Sequence, residues 1–268
     1  MCTLVFAWQV FADASLVAAA NRDEAFDRPS RPPETFGDGP RILAPRDEDA
    51  GGTWIGGNDQ GVFVAITNRW TGQQRVGDRS RGLLVRECLE QGSAEEAVRY
   101  VERDLDERVY EGFNLAVADA NSALFLEYDE RVQIRNFDPG VHVVGNTGAD
   151  GHYEIPEEPP RLRDAAERQA ENVDRLQTVL QPEPGEDAAA WLDRAAGTIR
   201  DHEFGVCIHG DGFGTRSSSL LALARDGASG AAAGDRAGTG EWTLDYAFAD
   251  GPPCEAAFEP VAASLSGD

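Results

Sequence analysis

A cysteine stands at position 2, where it could serve as a nucleophile at the start of a processed chain. Removal of Met1 would leave a thiol and a free α-amine on the same residue. A thiol is partly ionised near pH 7, and an amine with a pKa of about 7.7–8.0 is a suitable base for its proton. Most cysteines at position 2 have no such role, so the prediction of an N-terminal nucleophile depends on the residues that could surround Cys2.

Four polar residues, Asn21-Arg22-Asp23-Glu24, follow a predicted buried strand over 15–20. If that strand pairs with one over 2–9, Arg22 and Asp23 come close to Cys2. A guanidinium there would lower the thiol pKa, and a carboxylate could orient the terminal amine. The alternative is that the four residues only form a turn.

Three further residues stand where predicted strands begin or end. Asn68 and Asn146 each end a strand, and their side-chain amides could donate to an oxyanion, a contact typically worth about 2.7–4 kcal/mol of barrier. Arg216 follows a glycine-rich turn and could bind a substrate carboxylate or support the site. Both asparagines could equally be turn formers.

The cysteines are widely spaced along the chain, at Cys2, Cys88, Cys207 and Cys254. Because they include no C-x-x-C pair, their spacing predicts neither a zinc site nor a disulfide framework. Cys207 and His209 would share one strand face, but without further ligands they predict no metal or haem site. We therefore expect no metal.

The chain of 268 residues is strongly acidic, with 48 acidic and 24 basic residues and a net charge of −24. Every basic residue is arginine. This composition is typical of a salt-rich cytoplasm, where a Debye length of about 3 Å at 1 M screens self-repulsion, although an acidic protein of a GC-rich genome is the alternative. We predict a halophilic protein that unfolds at low salt. The charge argues against nucleic-acid and anionic-membrane partners, which require basic patches.

The sequence offers neither a membrane span nor a signal peptide. No segment approaches 18 consecutive apolar residues, and no basic residue precedes Arg22. The expected location is cytoplasmic.

The order of predicted elements favours an α+β fold. Strands dominate the first half, helices begin near residue 81, and strands return over 204–208, 218–225 and 241–248. The absence of β-α-β alternation favours two stacked, mostly antiparallel sheets covered by helices, in a single domain over 1–268.

Local patterns refine this outline. Ser93-Ala94-Glu95-Glu96 is a capping box, and amphipathic spacing predicts a long helix over 162–180 and a second over 187–200. The proline-rich stretch 29–45 is expected to be loop, and 226–240, rich in Gly and Ala, a flexible surface loop.

Motifs in order along nearly the whole chain resemble the NRDE, or transport-and-Golgi-organisation, family. They include Met1-Cys2, Asn21-Arg22-Asp23-Glu24, Gly51-Gly52-Thr53-Trp54-Ile55-Gly56, Ala65-Ile66-Thr67-Asn68 and Gly214-Thr215-Arg216. The resemblance implies an N-terminal-nucleophile (Ntn) hydrolase fold, a four-layer αββα sandwich. Cysteine amidases of that fold, which act on bile-salt or penicillin-type amides, also begin Met-Cys-Thr. The catalytic set implied here is Cys2, Arg22, Asp23, Asn68, Asn146 and Arg216.

The resemblance therefore implies a cysteine hydrolase that cleaves a non-peptide amide C–N bond of a small-molecule substrate without a cofactor. Cys2 would attack the carbonyl, its amine would carry the proton, and Asn68 and Asn146 would hold the oxyanion. The open alternative is a non-catalytic carrier of haem or another hydrophobic metabolite on the same fold, because eukaryotic relatives are associated with haem handling. The oligomeric state is not predicted.

Overall fold

Two antiparallel sheets form the centre of the protein, whose computed structural model describes residues 2–72, 76–225 and 240–265. Sheet A has eight strands, in the spatial order β12 (His152–Tyr153), β11 (Gly148–Ala149), β10 (Gly140–Val144), β1 (Thr3–Trp8), β2 (Leu16–Ala25), β13 (Phe213–Arg225), β14 (Trp242–Ala249) and β15 (Glu259–Pro260). Sheet B has seven strands, in the order β3 (Ser30–Phe36), β4 (Ile42–Asp47), β5 (Ile55–Asn58), β6 (Phe63–Asn68), β7 (Phe113–Ala118), β8 (Ala123–Tyr128) and β9 (Val132–Asn136).

Strand β1 is buried on both of its faces because sheet A lies between two apolar layers. Leu4, Phe6 and Trp8 pack into the core between the sheets, whereas Val5 and Ala7 pack into the core beneath the helices. Since side chains alternate along a strand, the continuous apolar run of β1 is the pattern expected of a doubly covered strand.

Helices cover the outer face of each sheet. They are α1 (Arg81–Leu89) and α2 (Ala94–Glu107) on sheet B, and α3 (Pro160–Val179) and α4 (Ala188–Arg200) on sheet A. Ser93 caps α2 by accepting a hydrogen bond of 3.2 Å from the Glu96 amide, as its capping pattern predicts. The layers therefore follow the order helix, sheet, sheet, helix, which confirms the αββα prediction.

The prediction of loop over the proline-rich stretch 29–45 was wrong. That stretch contains β3 and most of β4, with β3 at the edge of sheet B. The pairing of β3 with β4 shifts register between Arg31 and Glu34, where Pro32 and Pro33 lie. Proline is tolerated there because an edge strand has one side without ladder hydrogen bonds, and because a register shift already interrupts the pairing.

The prediction of a strand over 204–208 was also wrong. A short 3-10 helix, His202–Phe204, is followed by irregular backbone up to an isolated bridge between His209 and Gly214. Strand β2, by contrast, is longer than predicted and includes the polar residues through Glu24, because β13 pairs with it along that whole length.

Residues 226–239 of the predicted flexible loop lie outside the described residues. None of the helices in the described ranges combines the length and apolar character needed to cross a membrane.

Candidate active site

Cys2 lies at the start of β1, where sheet A opens into a cavity. Its main-chain nitrogen donates a hydrogen bond of 3.0 Å to Oδ1 of Asn146, and its thiol donates to the carbonyl oxygen of Asp23 at 3.7 Å. Burial raises the pKa of the Cys2 thiol. The sulfur is therefore mainly protonated near neutral pH and needs a base before it can attack.

Asn146 follows β10, the strand that pairs with β1 on the side away from β2. Its side-chain NH₂ donates to the carbonyl oxygen of Asn68 at 2.6 Å, and its Oδ1 faces the nitrogen of Cys2. These contacts differ from the oxyanion role expected of Asn146. They indicate a residue that orients the nitrogen of Cys2.

Gln169 holds Asn146 in this orientation. Its Nε2 donates to Asn146 Oδ1 and its Oε1 accepts from the Asn146 main-chain nitrogen, both at 2.7 Å. Gln169 is fully buried on α3 beside Ala166 and Val173. Gln169 was not predicted as a site residue from the sequence. The available signal was a polar side chain within the apolar stripe of a helix.

Arg22 lies on the inner face of β2, between the two sheets. Its guanidinium carbon is 4.1 Å from the ring centroid of Trp54, and its Nη2 is 3.7 Å from Glu24 Oε2. Its Nη1 is buried and has no hydrogen-bond partner among the described residues. The positive charge acts to lower the pKa of the Cys2 thiol, although burial has the larger effect.

Asp23 faces the opposite side of β2 and is anchored by β13. The hydroxyl of Thr215 donates to Asp23 Oδ1 at 2.6 Å and accepts from the Ile208 amide at 2.8 Å. The register of β13 against β2 shifts between Thr215 and Ser217, opposite Asp23 and Arg22. Burial raises the pKa of Asp23 to about 6, despite the hydrogen bond from Thr215, which lowers it.

Asn68 ends β6 on sheet B and contributes to the cavity wall. Its main-chain oxygen accepts from Asn146, while its exposed side-chain amide enters no hydrogen bond among the described residues. That amide is therefore available to a ligand in the cavity.

Arg216 is the candidate that the structure does not bring to this site. Its guanidinium binds Asp250 at 2.7 Å and is half-buried outside the cavity wall. The residue lies at the register shift in β13, and its partner Asp250 directly follows β14.

The cavity has a volume of about 360 Å³, and Cys2, Arg22, Asp23 and Asn68 all contribute to its wall. More than half of the described residues that form this wall carry a charge. The three other arginines among the described residues of this wall, Arg28, Arg79 and Arg81, are each paired with a carboxylate. Arg28 binds Asp47 at 2.6 Å, and Arg81 lies 3.0 Å from Glu111.

Comparison with solved structures shows which fold this is. Penicillin V acylase from Agrobacterium tumefaciens superposes with a TM-score of 0.50, at 13% sequence identity, over 97% of this chain and 98% of that chain. At that identity the likeness shows a shared fold, that of the Ntn hydrolases.

Curated relatives identify the family. The Transport and Golgi organization 2 homolog of Mus musculus is 36% identical over 112 residues, and the human protein is 35% identical over 112 residues. Each alignment covers 40% of this chain and 40% of the relative, so the matched segment spans less than half of those proteins. The family model for Transport and Golgi organisation 2 matches residues 1–231, and the chain therefore belongs to that family.

Proposed function

We propose that this protein is a cysteine amidohydrolase that cleaves a small, polar, non-peptide amide, with Cys2 as its nucleophile after removal of Met1. One observation carries the proposal. The thiol of Cys2 lies at a cavity, while the nitrogen of the same residue is oriented by Asn146. A nucleophile and its prospective base are thus held together in one residue.

The first half of the reaction uses this pair. With Met1 removed, the nitrogen that donates to Asn146 would be an α-amine, whose lone pair takes the thiol proton. The sulfur then bonds to the amide carbon, and the carbonyl electron pair moves to oxygen. Arg22 stabilises the thiolate, because its charge lowers the thiol pKa.

Collapse of the tetrahedral intermediate breaks the C–N bond. The protonated α-amine gives its proton to the leaving nitrogen, and an acyl thioester stays on Cys2. Water, deprotonated by the same amine, then attacks the thioester. The products are a carboxylic acid and the regenerated thiol.

The two asparagines have separate roles in this account. Asn68 donates to the oxyanion, since its side-chain amide stands at the cavity wall without a protein partner among the described residues. Asn146 positions the amine through its Oδ1. Asp23, held by Thr215, fixes the end of β2 behind the thiol through its main-chain oxygen.

The cavity wall favours a polar substrate over a hydrophobic cargo. Its charged residues outnumber its large apolar ones, of which Trp54 and Ile66 are the main examples among the described residues. A buried guanidinium nitrogen without an acceptor, Arg22 Nη1, favours a substrate with an anionic or carbonyl group. A carrier of haem or another hydrophobic metabolite would need a predominantly apolar pocket.

The test is turnover of a panel of small polar amides, with an acid quench to trap the acyl-enzyme for intact mass spectrometry. We expect an acyl adduct on Cys2 in the wild type and in Cys88→Ala, because Cys88 is a buried residue of α1 outside the cavity wall. We expect neither adduct nor turnover in Cys2→Ala. Turnover that persists in Cys2→Ala would contradict the proposal.

A further inference from the structure

A cluster of two cysteines and two histidines lies in the connecting segments next to β13 and β14, outside the cavity wall. His202, Cys207, His209 and Cys254 each direct one potential ligand atom to a common point, with all four atoms within 4.8 Å of one another. We propose that these four residues form a binding site for a zinc ion.

The distances among Cys207, His209 and Cys254 are close to those of tetrahedral coordination, and the ligand atom of His202 lies within 4.8 Å of theirs. Cys207 Sγ lies 3.6 Å from Cys254 Sγ and 3.7 Å from His209 Nε2, and His209 Nε2 lies 3.1 Å from Cys254 Sγ. With Zn–S near 2.3 Å and Zn–N near 2.0–2.1 Å, two sulfurs, or a sulfur and a nitrogen, of a tetrahedral site are separated by roughly 3.5–3.8 Å. Two of the three separations fall in this range, and the third needs a shift of about 0.4 Å.

The donor set selects the ion. Two thiolates and two imidazoles are the ligands of structural zinc sites, whereas magnesium and calcium take oxygen. Glu255 Oε1 lies 3.9 Å from Nδ1 of His209 and leaves Nε2 directed at the sulfurs. A carboxylate commonly orients a ligating histidine by accepting a hydrogen bond from its other ring nitrogen, and Glu255 would have to approach by about 1 Å to do so.

A disulfide between Cys207 and Cys254 explains less of the arrangement. Both thiols are free, and their sulfurs are much farther apart than the 2.03–2.05 Å of a disulfide bond. Such a bond would also leave unexplained why His202 and His209 converge on the same point.

The site would join three segments of the chain. His202 lies in the 3-10 helix after α4, Cys207 and His209 precede β13, and Cys254 lies in the turn that follows β14. Because four protein ligands complete the coordination of zinc, the site would be structural.

Under this proposal the protein would hold a metal that the sequence did not predict. The sequence predicted none because no further ligands for Cys207 and His209 were identified from their spacing in the chain. The two further ligands are His202 and Cys254. Cys254 is 47 residues beyond Cys207 in the sequence, so only the folded structure brings the two sulfurs together.

The site also lies next to the support of Asp23. Ile208, between the two ligands Cys207 and His209, donates its amide to the Thr215 hydroxyl that binds Asp23. Metal binding would therefore fix a segment that contacts the proposed active site. The proposal does not depend on the proposed hydrolase activity, because its readouts are metal content and spectra.

The experiment measures zinc in protein purified under reducing conditions without a chelator, then replaces it with Co²⁺. We expect about one zinc per chain, and a cobalt spectrum with sulfur-to-metal charge transfer and tetrahedral ligand-field bands. The titre of thiols reactive in the native protein should rise when a chelator removes the metal.

Variants locate the ion. Cys254→Ala and His209→Ala should lose the metal or the tetrahedral spectrum, while the buried Cys88→Ala keeps both. The cobalt spectrum of the wild-type protein tests the proposal even if a variant fails to fold. Wild-type protein that binds no stoichiometric zinc, a cobalt spectrum without thiolate bands, or full binding by Cys254→Ala would each overturn the proposal.

Discussion

Asn146 Oδ1 accepts a hydrogen bond of 3.0 Å from the main-chain nitrogen of Cys2, across 144 residues of sequence. The contact exists because β10 pairs with β1 in a register that sets Val144 opposite Leu4. It fixes the direction of the nitrogen that would become the catalytic amine.

Replacing Gln169 by leucine should disturb this contact without touching Cys2. The change leaves the buried Asn146 amide without an acceptor, an effect that typically costs about 1–3 kcal/mol. We expect a lower free energy of unfolding in urea and slower alkylation of Cys2. The control is Gln181→Leu, an exposed site just beyond α3. Equal effects of the two changes would show that Gln169 does not position Asn146.

Replacing Arg22 by glutamine should raise the pKa of the Cys2 thiol, because the guanidinium acts to lower it. We expect the midpoint of a pH profile of iodoacetamide labelling at Cys2 to move to higher pH. The matched control is Arg216→Gln, whose guanidinium pairs with Asp250 outside the cavity wall. An unchanged midpoint in Arg22→Gln would refute the electrostatic role of Arg22.

Replacing Asp23 by asparagine should stabilise the fold at neutral pH. Burial raises the pKa of Asp23 from 3.8 to about 6, so the folded state holds its proton more tightly than the unfolded state. The free energy of unfolding of the wild type therefore falls as pH rises from about 4 to about 6, because the buried carboxyl group loses its proton. This loss of stability persists above pH 6.

The expected gain of Asp23→Asn is up to about 3 kcal/mol above pH 6, from 1.36 kcal/mol per pKa unit, and it should vanish below about pH 4. Urea denaturation at constant salt across this pH range measures it. A variant that is less stable than wild type at pH 8 would contradict this assignment. Loss of amide hydrolysis together with a gain in stability would indicate a residue kept for function.

We propose that the net charge of −24 makes folding dependent on salt. Repulsion among the acidic side chains is screened as the Debye length falls from about 10 Å at 0.1 M to about 3 Å at 1 M. The melting temperature should rise between dilute buffer and molar KCl. A melting temperature that does not change with KCl would exclude salt adaptation.

The local part of the site could be predicted from the sequence. A short connection between two apolar runs predicts that β1 and β2 pair, and this pairing sets Thr3 opposite Asn21. This pairing brings Arg22 and Asp23 beside Cys2 even if the predicted end of β2 is wrong by a residue or two. Apolar residues on both faces of several strands likewise indicated the layered arrangement of the sheets.

The parts that depend on packing between distant elements could not be predicted in this way. Gln169 reaches Asn146 from a helix on the outer layer, and Thr215 reaches Asp23 only because β13 shifts register there. The pairing of Arg216 with Asp250 depends on where β13 and β14 end. Local periodicity contains no information about such contacts.

The role of Cys2 as nucleophile is tested most directly by intact mass and peptide mapping of purified protein after brief treatment with iodoacetamide. We expect a chain that lacks Met1 and whose label appears at Cys2 before Cys88, Cys207 or Cys254. A retained Met1, or labelling with no preference for Cys2, would contradict this role.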